Sequence, residues 1–282
     1  MFFNVLRMEC DKVFKRKLPW IGLLVTVAGF LFYFAIFFYG SRRTSPLHGD
    51  IFVWPLGTIS GFTIVVSGLP IFSIGMLLAS IVCGAAMAQE YSWHSLQLWL
   101  SVGVPRPVLF AAKFVVCLLV ILLITLVTGL TGVVTSIITA LQLHRGLNTT
   151  TLDGFQWFLS WLRTSYAILP YSTMAFMLAI ITRSPIVSIS ITLLCAAIVE
   201  MMFFVIAPLF PVLANVWHLM PWSLALALTL QNLDTNPTVS PAALFSVHPS
   251  YGPLGGAIGI TIYTLVFLGI AFWVFCRQNL SE

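Results

Sequence analysis

The sequence predicts an all-α integral membrane protein: six transmembrane helices, an N-terminal interfacial helix, and a cytoplasmic helix between the second and third spans. Three observations predict it. Hydrophobic residues make up 60% of the 282 and charged residues only 7%, against about 25% charged in soluble domains. The mean hydropathy is +1.03. Apolar runs of about twenty residues or more, enough to cross a ~30 Å hydrocarbon core, recur along the chain between short polar or proline-bearing segments. Too little charge remains to hydrate a surface of this size, so the solvent around most of the chain is lipid.

The elements follow in order within one transmembrane domain, 1–282. In residues 1–17, Phe2, Val5, Leu6, Val13 and Phe14 lie close to one helical face, with Arg7, Asp11, Lys12 and Lys15 mostly on the other. That pattern predicts a helix lying in the membrane interface. The run 18–40 exceeds the roughly 7–15 apolar residues of a signal-peptide core, and Ser41-Arg42-Arg43 is no small-residue cleavage site, so it reads as a retained first span. Span 2 covers 59–88, where Gly68 and Pro70 offer a kink. Spans 3 to 6 cover 108–140, 155–182, 186–209 and 256–275, with Arg163 near the outer end of span 4 and a tight Arg183-Ser184-Pro185 turn before span 5. Residues 211–255 hold Pro211, Pro221, Pro237, Pro241, Pro249 and Pro253 around the apolar stretch 222–230, which is too short to cross. They read as an extracellular or re-entrant segment.

Placing the N-terminus inside and alternating puts nine basic residues on the inner side: Arg7, Lys12, Lys15, Arg16, Lys17, Arg106, Lys113, Arg183 and Arg277. Four fall outside: Arg42, Arg43, Arg145 and Arg163. The excess predicts both termini in the cytoplasm of a multi-pass protein of the cell membrane, inner or plasma. Arg42 and Arg43 stand against the rule. The net charge of +5 therefore reports topology rather than nucleic-acid binding.

Other chemistry has little basis. The five cysteines form no C-x-x-C pair, and the histidines are scattered over loops, so neither a disulfide framework nor a metal site is expected. There is no G-x-S-x-G and no H-E-x-x-H. None of the lysines, Lys12, Lys15, Lys17 and Lys113, sits in a P-loop context, so any ATP hydrolysis must come from another polypeptide.

The most informative segment is 89–113. Trp93, Leu96, Trp99 and Leu100 recur on one helical face, with Glu90, His94, Gln97 and Ser101 mostly on the other. Gly103 can end that helix and Pro105 cannot continue it. By itself the pattern also fits a plain interfacial anchor with tryptophans at headgroup level. Over Glu90, Tyr91, Ser95-Leu96, Gly103, Arg106 and Lys113, however, the segment resembles the ABC-2-type permeases, the membrane subunits of ATP-driven exporters. The family shows an acidic residue after span 2, then an aromatic, a Thr or Ser before Leu, a short helix, a Gly-x-x-Arg-like turn and a Lys. Ser95 stands where Thr is usual. Arg7-Met8-Glu9, with Lys12 and Lys15-Arg16-Lys17, resembles the family's interfacial elbow helix.

The resemblance implies a permease subunit forming a translocation pathway as a homo- or heterodimer, driven by cytoplasmic ABC ATPase subunits. Those partners, and not this chain, would bind ATP and Mg. It implies a coupling helix over 89–105. Glu90, Tyr91, His94, Ser95, Arg106 and Lys113 are the ATPase-coupling candidates, with Glu90 and His94 at i and i+4 able to orient each other. The substrate stays open among drugs, peptides, lipids, glycans and ions. A non-transporting membrane scaffold or sensor is the rival reading.

Glu200 is the one carboxylate well inside an apolar run. A charge at mid-membrane costs roughly 2.5–3.5 kcal/mol on insertion scales. Three roles stay open for this candidate pathway residue: lining the route, pairing with a basic residue, or staying protonated near the outer interface. Gly255 and Gly259 form a G-x-x-x-G pair, one of several small-residue sites for close helix contact.

Overall fold

The computed structural model describes residues 2–43, 74–92, 99, 103–142, 154–232 and 251–278. Among them all regular structure is helical. The elements are α1 (Phe2–Lys15), α2 (Lys17–Arg43), α3 (Ile74–Ser92), α4 (Arg106–Gln142), α5 (Gly154–Ala167), α6 (Leu169–Thr182) and α7 (Pro185–Leu194). A π-helical turn (Cys195–Val199) leads into α8 (Glu200–Ile206), followed by α9 (Pro211–Leu219), α10 (Pro221–Thr229) and α11 (Pro253–Arg277).

Among the described residues, five stretches are long and apolar enough to cross a membrane: Lys17–Ile36, Arg106–Thr135, Gly154–Thr182, Pro185–Ile206 and Pro253–Arg277. Within those residues α9 and α10, bent by 67° at their junction, make a sixth if they count as one span. Of the second expected span, residues 59–73 lie outside the described residues; the remainder is in α3, which continues through Glu90 to Ser92.

Proline explains the segmentation of the chain after α6. Pro185, Pro211, Pro221 and Pro253 each open a helix, the position where the missing N–H costs nothing and the fixed φ is already helical. Of the proline-rich stretch, residues 211–232 therefore form short helices, and 233–250 lie outside the described residues. Pro170, in the first turn of α6, likewise marks the break at Ile168 that divides α5 from α6 within one membrane-length stretch. The turn at Arg183 has φ 53°, left-handed for a non-glycine residue, and its N–H closes the helix on the Ala179 carbonyl.

α6 lies at the centre, packed against α3, α7 and α11, while α1 and α2 lie along α4. Phe110 of α4 meets Phe176 of α6 and Phe275 of α11 at ring separations of 5.6 and 5.8 Å. Close approach depends on small residues. A Cβ on Gly84 of α3 would come within 2.9 Å of Ser188 Oγ on α7. On Gly256 of α11 it would come within 2.6 Å of the Leu224 carbonyl on α10. Gly259 faces the Leu224 side chain too, whereas Gly255 faces Tyr251 one turn back on its own side of the chain. The expected G-x-x-x-G pair is thus split, and Gly256 and Gly259 serve a contact within this chain.

Hydroxyls inside the bundle answer the bilayer's demand that every polar group find an internal partner. Thr26, Ser80, Thr128 and Thr192 donate to carbonyls four residues back on their own helices. Others join helices: Ser188 donates to the Ala175 carbonyl at 2.7 Å, and Thr125 meets Ser165 at 2.8 Å.

Candidate functional site: a charge cluster at one end of the bundle

α1 presents Val5, Glu9 and Val13 on one face, all buried. The two valines pack into the apolar core and carry Glu9 inward between them. There it accepts from Lys113 Nζ of α4 at 3.0 Å. Glu90, near the end of α3, meets Lys12 Nζ at 2.8 Å, Arg16 at 3.0 Å and Lys113 at 3.3 Å. Arg16 also donates to Gln89 Oε1 at 3.0 Å. Glu90 is 1% exposed and Glu9 2%. Two buried carboxylates are thus enclosed by three cations, and the five side chains tie α1, α3 and α4 together.

The remaining motif residues build a second network beside it. Arg106, the first residue of α4, donates to the carbonyls of Cys276 at 2.6 Å and Gln278 at 3.0 Å. Its guanidinium thereby caps the C-terminus of α11, where orphan carbonyls and the helix dipole favour a cation. The Gln278 side chain accepts from the Tyr91 hydroxyl at 2.8 Å and donates to the Ile180 carbonyl of α6 at 2.8 Å. Arg183 lies over the Tyr91 ring, 5.8 Å from its centre. Burial pushes the Tyr91 phenol well above its usual value, with Arg183 pulling it the other way. The ends of α3, α4, α6 and α11 are therefore fastened at one level.

In sequence, the expected coupling segment connects the two networks. Residues 93–98 and 100–102, including His94 and Ser95, lie outside the described residues. What flanks them is described. Gly103 has φ 84°, and the Val104 N–H bonds the Trp99 carbonyl at 3.2 Å. This is the six-to-one hydrogen bond of a Schellman helix end, with glycine at the left-handed position. Lys12 lies 6.0 Å from the centre of the Trp99 ring.

Glu90, Tyr91, Arg106 and Lys113 are thus brought together, but turned inward. Glu90, expected on the outer polar face beside His94, is bound by α1 and α4 instead. Lys12, expected on the water-facing side of α1, bridges Glu9 and Glu90. Sequence reasoning missed the positioning roles of Glu9, Arg16 and Gln278. For Glu9 a signal existed, because a carboxylate flanked at i−4 and i+4 by valines must be carried into the core.

Glu200 stands apart, immediately after the π-helical turn, an irregularity that re-aims the side chains following it. It is buried, accepts the Tyr171 hydroxyl of α6, and accepts the Trp222 backbone N–H at the start of α10. Among the described residues no cation pairs with it. Trp217 and Trp222, 6.0 Å apart and both fully buried, close the neighbouring wall with Phe204.

Membrane-length apolar helices, a buried charge cluster at one end and hydroxyl-lined internal contacts define a polytopic all-α membrane protein. A family described as "ABC-2 family transporter protein" matches residues 5–198. The chain belongs to that family and is a permease-type membrane transport subunit. No curated protein matches the chain.

Proposed function

We propose that this chain is the permease subunit of an ATP-driven exporter, working as a homo- or heterodimer over separate cytoplasmic ABC ATPases that bind ATP and Mg. The charged end of the bundle faces the cytoplasm, in line with the excess of basic residues there. Both termini lie on that side of the cell membrane. The carrying observation is the pair of networks fastening both stems of the 89–105 segment. Lys12, Arg16 and Lys113 hold the α3 stem through Glu90, and Arg106 ties the α4 stem to the end of α11. A helix so mounted delivers a push from beneath as a rigid-body tilt of α3, α4 and α11. In this reading Glu90, Tyr91, Arg106 and Lys113 transmit force within the chain, and His94 and Ser95 meet the ATPase. Glu200, at the start of α8, is the candidate residue of the route itself.

The test replaces His94 and Ser95 by Ala in the full chain expressed with its cognate ABC ATPase. Loss of a central interface anchor costs about 2 kcal/mol or more. The expected result is unchanged membrane level with a loss on the order of tenfold or more in ATPase co-purification and stimulation. Wild-type binding and stimulation would make the segment an interfacial anchor and favour the scaffold reading.

A further inference from the structure

Two cysteines 34 residues apart in sequence meet in the core, where α3 packs on α4. Cys83 of α3 is 1% exposed and Cys117 of α4 6%, and both thiols are free. The Cys83 thiol interacts with the Cys117 thiol across the helix contact, with the Ser172 hydroxyl of α6 as a further polar neighbour. One turn from each cysteine, on the same helix faces, stand Met87 and Lys113. Met87, Lys113, Cys117 and Glu9 line a cavity of about 10 Å³, room for a single water-sized body. Two thiols and a thioether thus gather at a one-atom cavity that borders the charge cluster.

The donor set decides what this cavity can hold. Thiolate and thioether sulfurs are soft ligands, which select copper(I) and its congener silver(I) over magnesium or calcium. Among the described residues no group of three or more His, Cys, Asp or Glu side chains converges, which denies zinc the four ligands it takes. A monovalent ion with a filled d shell is satisfied by two thiolates in line, with a thioether as a weak third donor. Charge points the same way. The neighbouring cluster sets Lys12, Arg16 and Lys113 against Glu9 and Glu90, so these five side chains carry an excess of one positive charge. Binding of a monovalent ion by two thiols releases two protons to water and leaves a bis-thiolate complex with one negative charge, which that excess offsets. A divalent ion on the same two thiolates would be neutral and leave the excess unanswered.

We propose that Cys83 and Cys117, with Met87 as a third donor, bind one soft monovalent metal ion, copper(I) or silver(I). Lys113, one turn from Cys117, supplies the counter-charge and marks the end of the bundle from which the ion enters. The site rests on the packing of α3 against α4 and on no assumption about the exported substrate.

The test loads the full chain in detergent, reduced and under argon, with copper(I) buffered by bicinchoninate. The readouts are copper retained per chain after gel filtration and the ultraviolet thiolate-to-copper charge-transfer band. The wild type should hold one copper(I) per chain and show the band. Loss of a supporting residue weakens metal affinity by about 10–100-fold, so loss of a ligating thiol in Cys83→Ser or Cys117→Ser should weaken it by on the order of a hundredfold or more. Met87→Leu conserves core volume and should weaken it by about tenfold, which keeps the test alive if a serine variant fails to fold. Cys10→Ser and Cys276→Ser should retain copper, and zinc(II) offered in its place should not be held. Wild-type affinity in Cys83→Ser, Cys117→Ser or Met87→Leu, loss of copper in Cys10→Ser, or equal retention of zinc(II) would overturn the proposal. A Cys83–Cys117 disulfide persisting in the reduced protein would also overturn it and assign the pair to redox chemistry.

Discussion

Lys113 and Glu9, 104 residues apart in sequence, pair at 3.0 Å with side chains only 5% and 3% exposed. Ion pairs this deep gain little over an apolar replacement of both partners, but removing one partner leaves a buried charge unanswered. The pair therefore works as a register pin: α1 can lie along α4 in the one position that brings Glu9 to Lys113 and, through it, to Glu90.

Lys113→Met tests that pin. It strips Glu9 of its closest cation and Glu90 of one of three, at an expected cost of about 3–5 kcal/mol. The measurement is Tm in detergent. Glu9→Gln with Lys113→Met should recover part of the loss, because the uncompensated carboxylate is gone. An unchanged Tm in the single variant would remove the cluster from the account of the fold.

Arg106 makes a second, separable prediction. Its guanidinium occupies the carbonyls of Cys276 and Gln278, so Arg106→Ala should fray the last turn of α11. Charge-assisted hydrogen bonds are worth about 1.5–3 kcal/mol. Amide hydrogen exchange near residues 274–278 should accelerate on the order of tenfold or more, with that around Gly256 unchanged. Uniform acceleration along α11 would mean that Arg106 supports the whole helix rather than its end.

The sequence makes some of this legible for physical reasons. Apolar runs longer than the bilayer have few options, and Gly103 and the Arg183-Ser184-Pro185 turn carry stop signals fixed by backbone chemistry. Partner choice is another matter. Periodicity on α1 says which residues share a face, but not that the face meets α4, so Lys12 reads as solvated and Glu9 as part of an interfacial helix with no partner named. The same limit hides the match of Glu200 with Tyr171. It also puts Gly255 in a helix contact that Gly256, one position on, makes with Leu224. For 211–255 the sequence shows a short apolar helix over 222–230, matched by α10, but not that α9 precedes it, because prolines that open helices and prolines that end them look alike in one sequence.

Orientation gives a third prediction. In a cysteine-free background, single cysteines at Asn148 and Asn236 should react with an impermeant thiol reagent added outside intact cells. Cysteines at Ser95 and Ser184 should react only after permeabilisation. The basis is the inner excess of Lys and Arg, nine against four. Outside labelling of Ser95 would invert the bundle and bring the charge cluster to the wrong face for an ATPase.

Glu200 gives the last prediction, which separates a structural carboxyl from a working one. Its oxygens accept the Tyr171 hydroxyl and the Trp222 N–H, both in buried surroundings. Glu200→Gln keeps an acceptor oxygen for those donors, so the complex should assemble with little change in Tm. Glu200→Leu removes the acceptor and strands two buried donors at about 1–3 kcal/mol each, so its Tm should fall. Tyr171→Phe removes one donor and should cost less than Glu200→Leu. Transport tells the rest. A residue of the route needs its ionisable group, so Glu200→Gln should alter transport although the fold survives. If Glu200→Gln transports like the wild type while Glu200→Leu fails to assemble, the carboxyl only holds α10 against α6 and α8, and the route lies elsewhere.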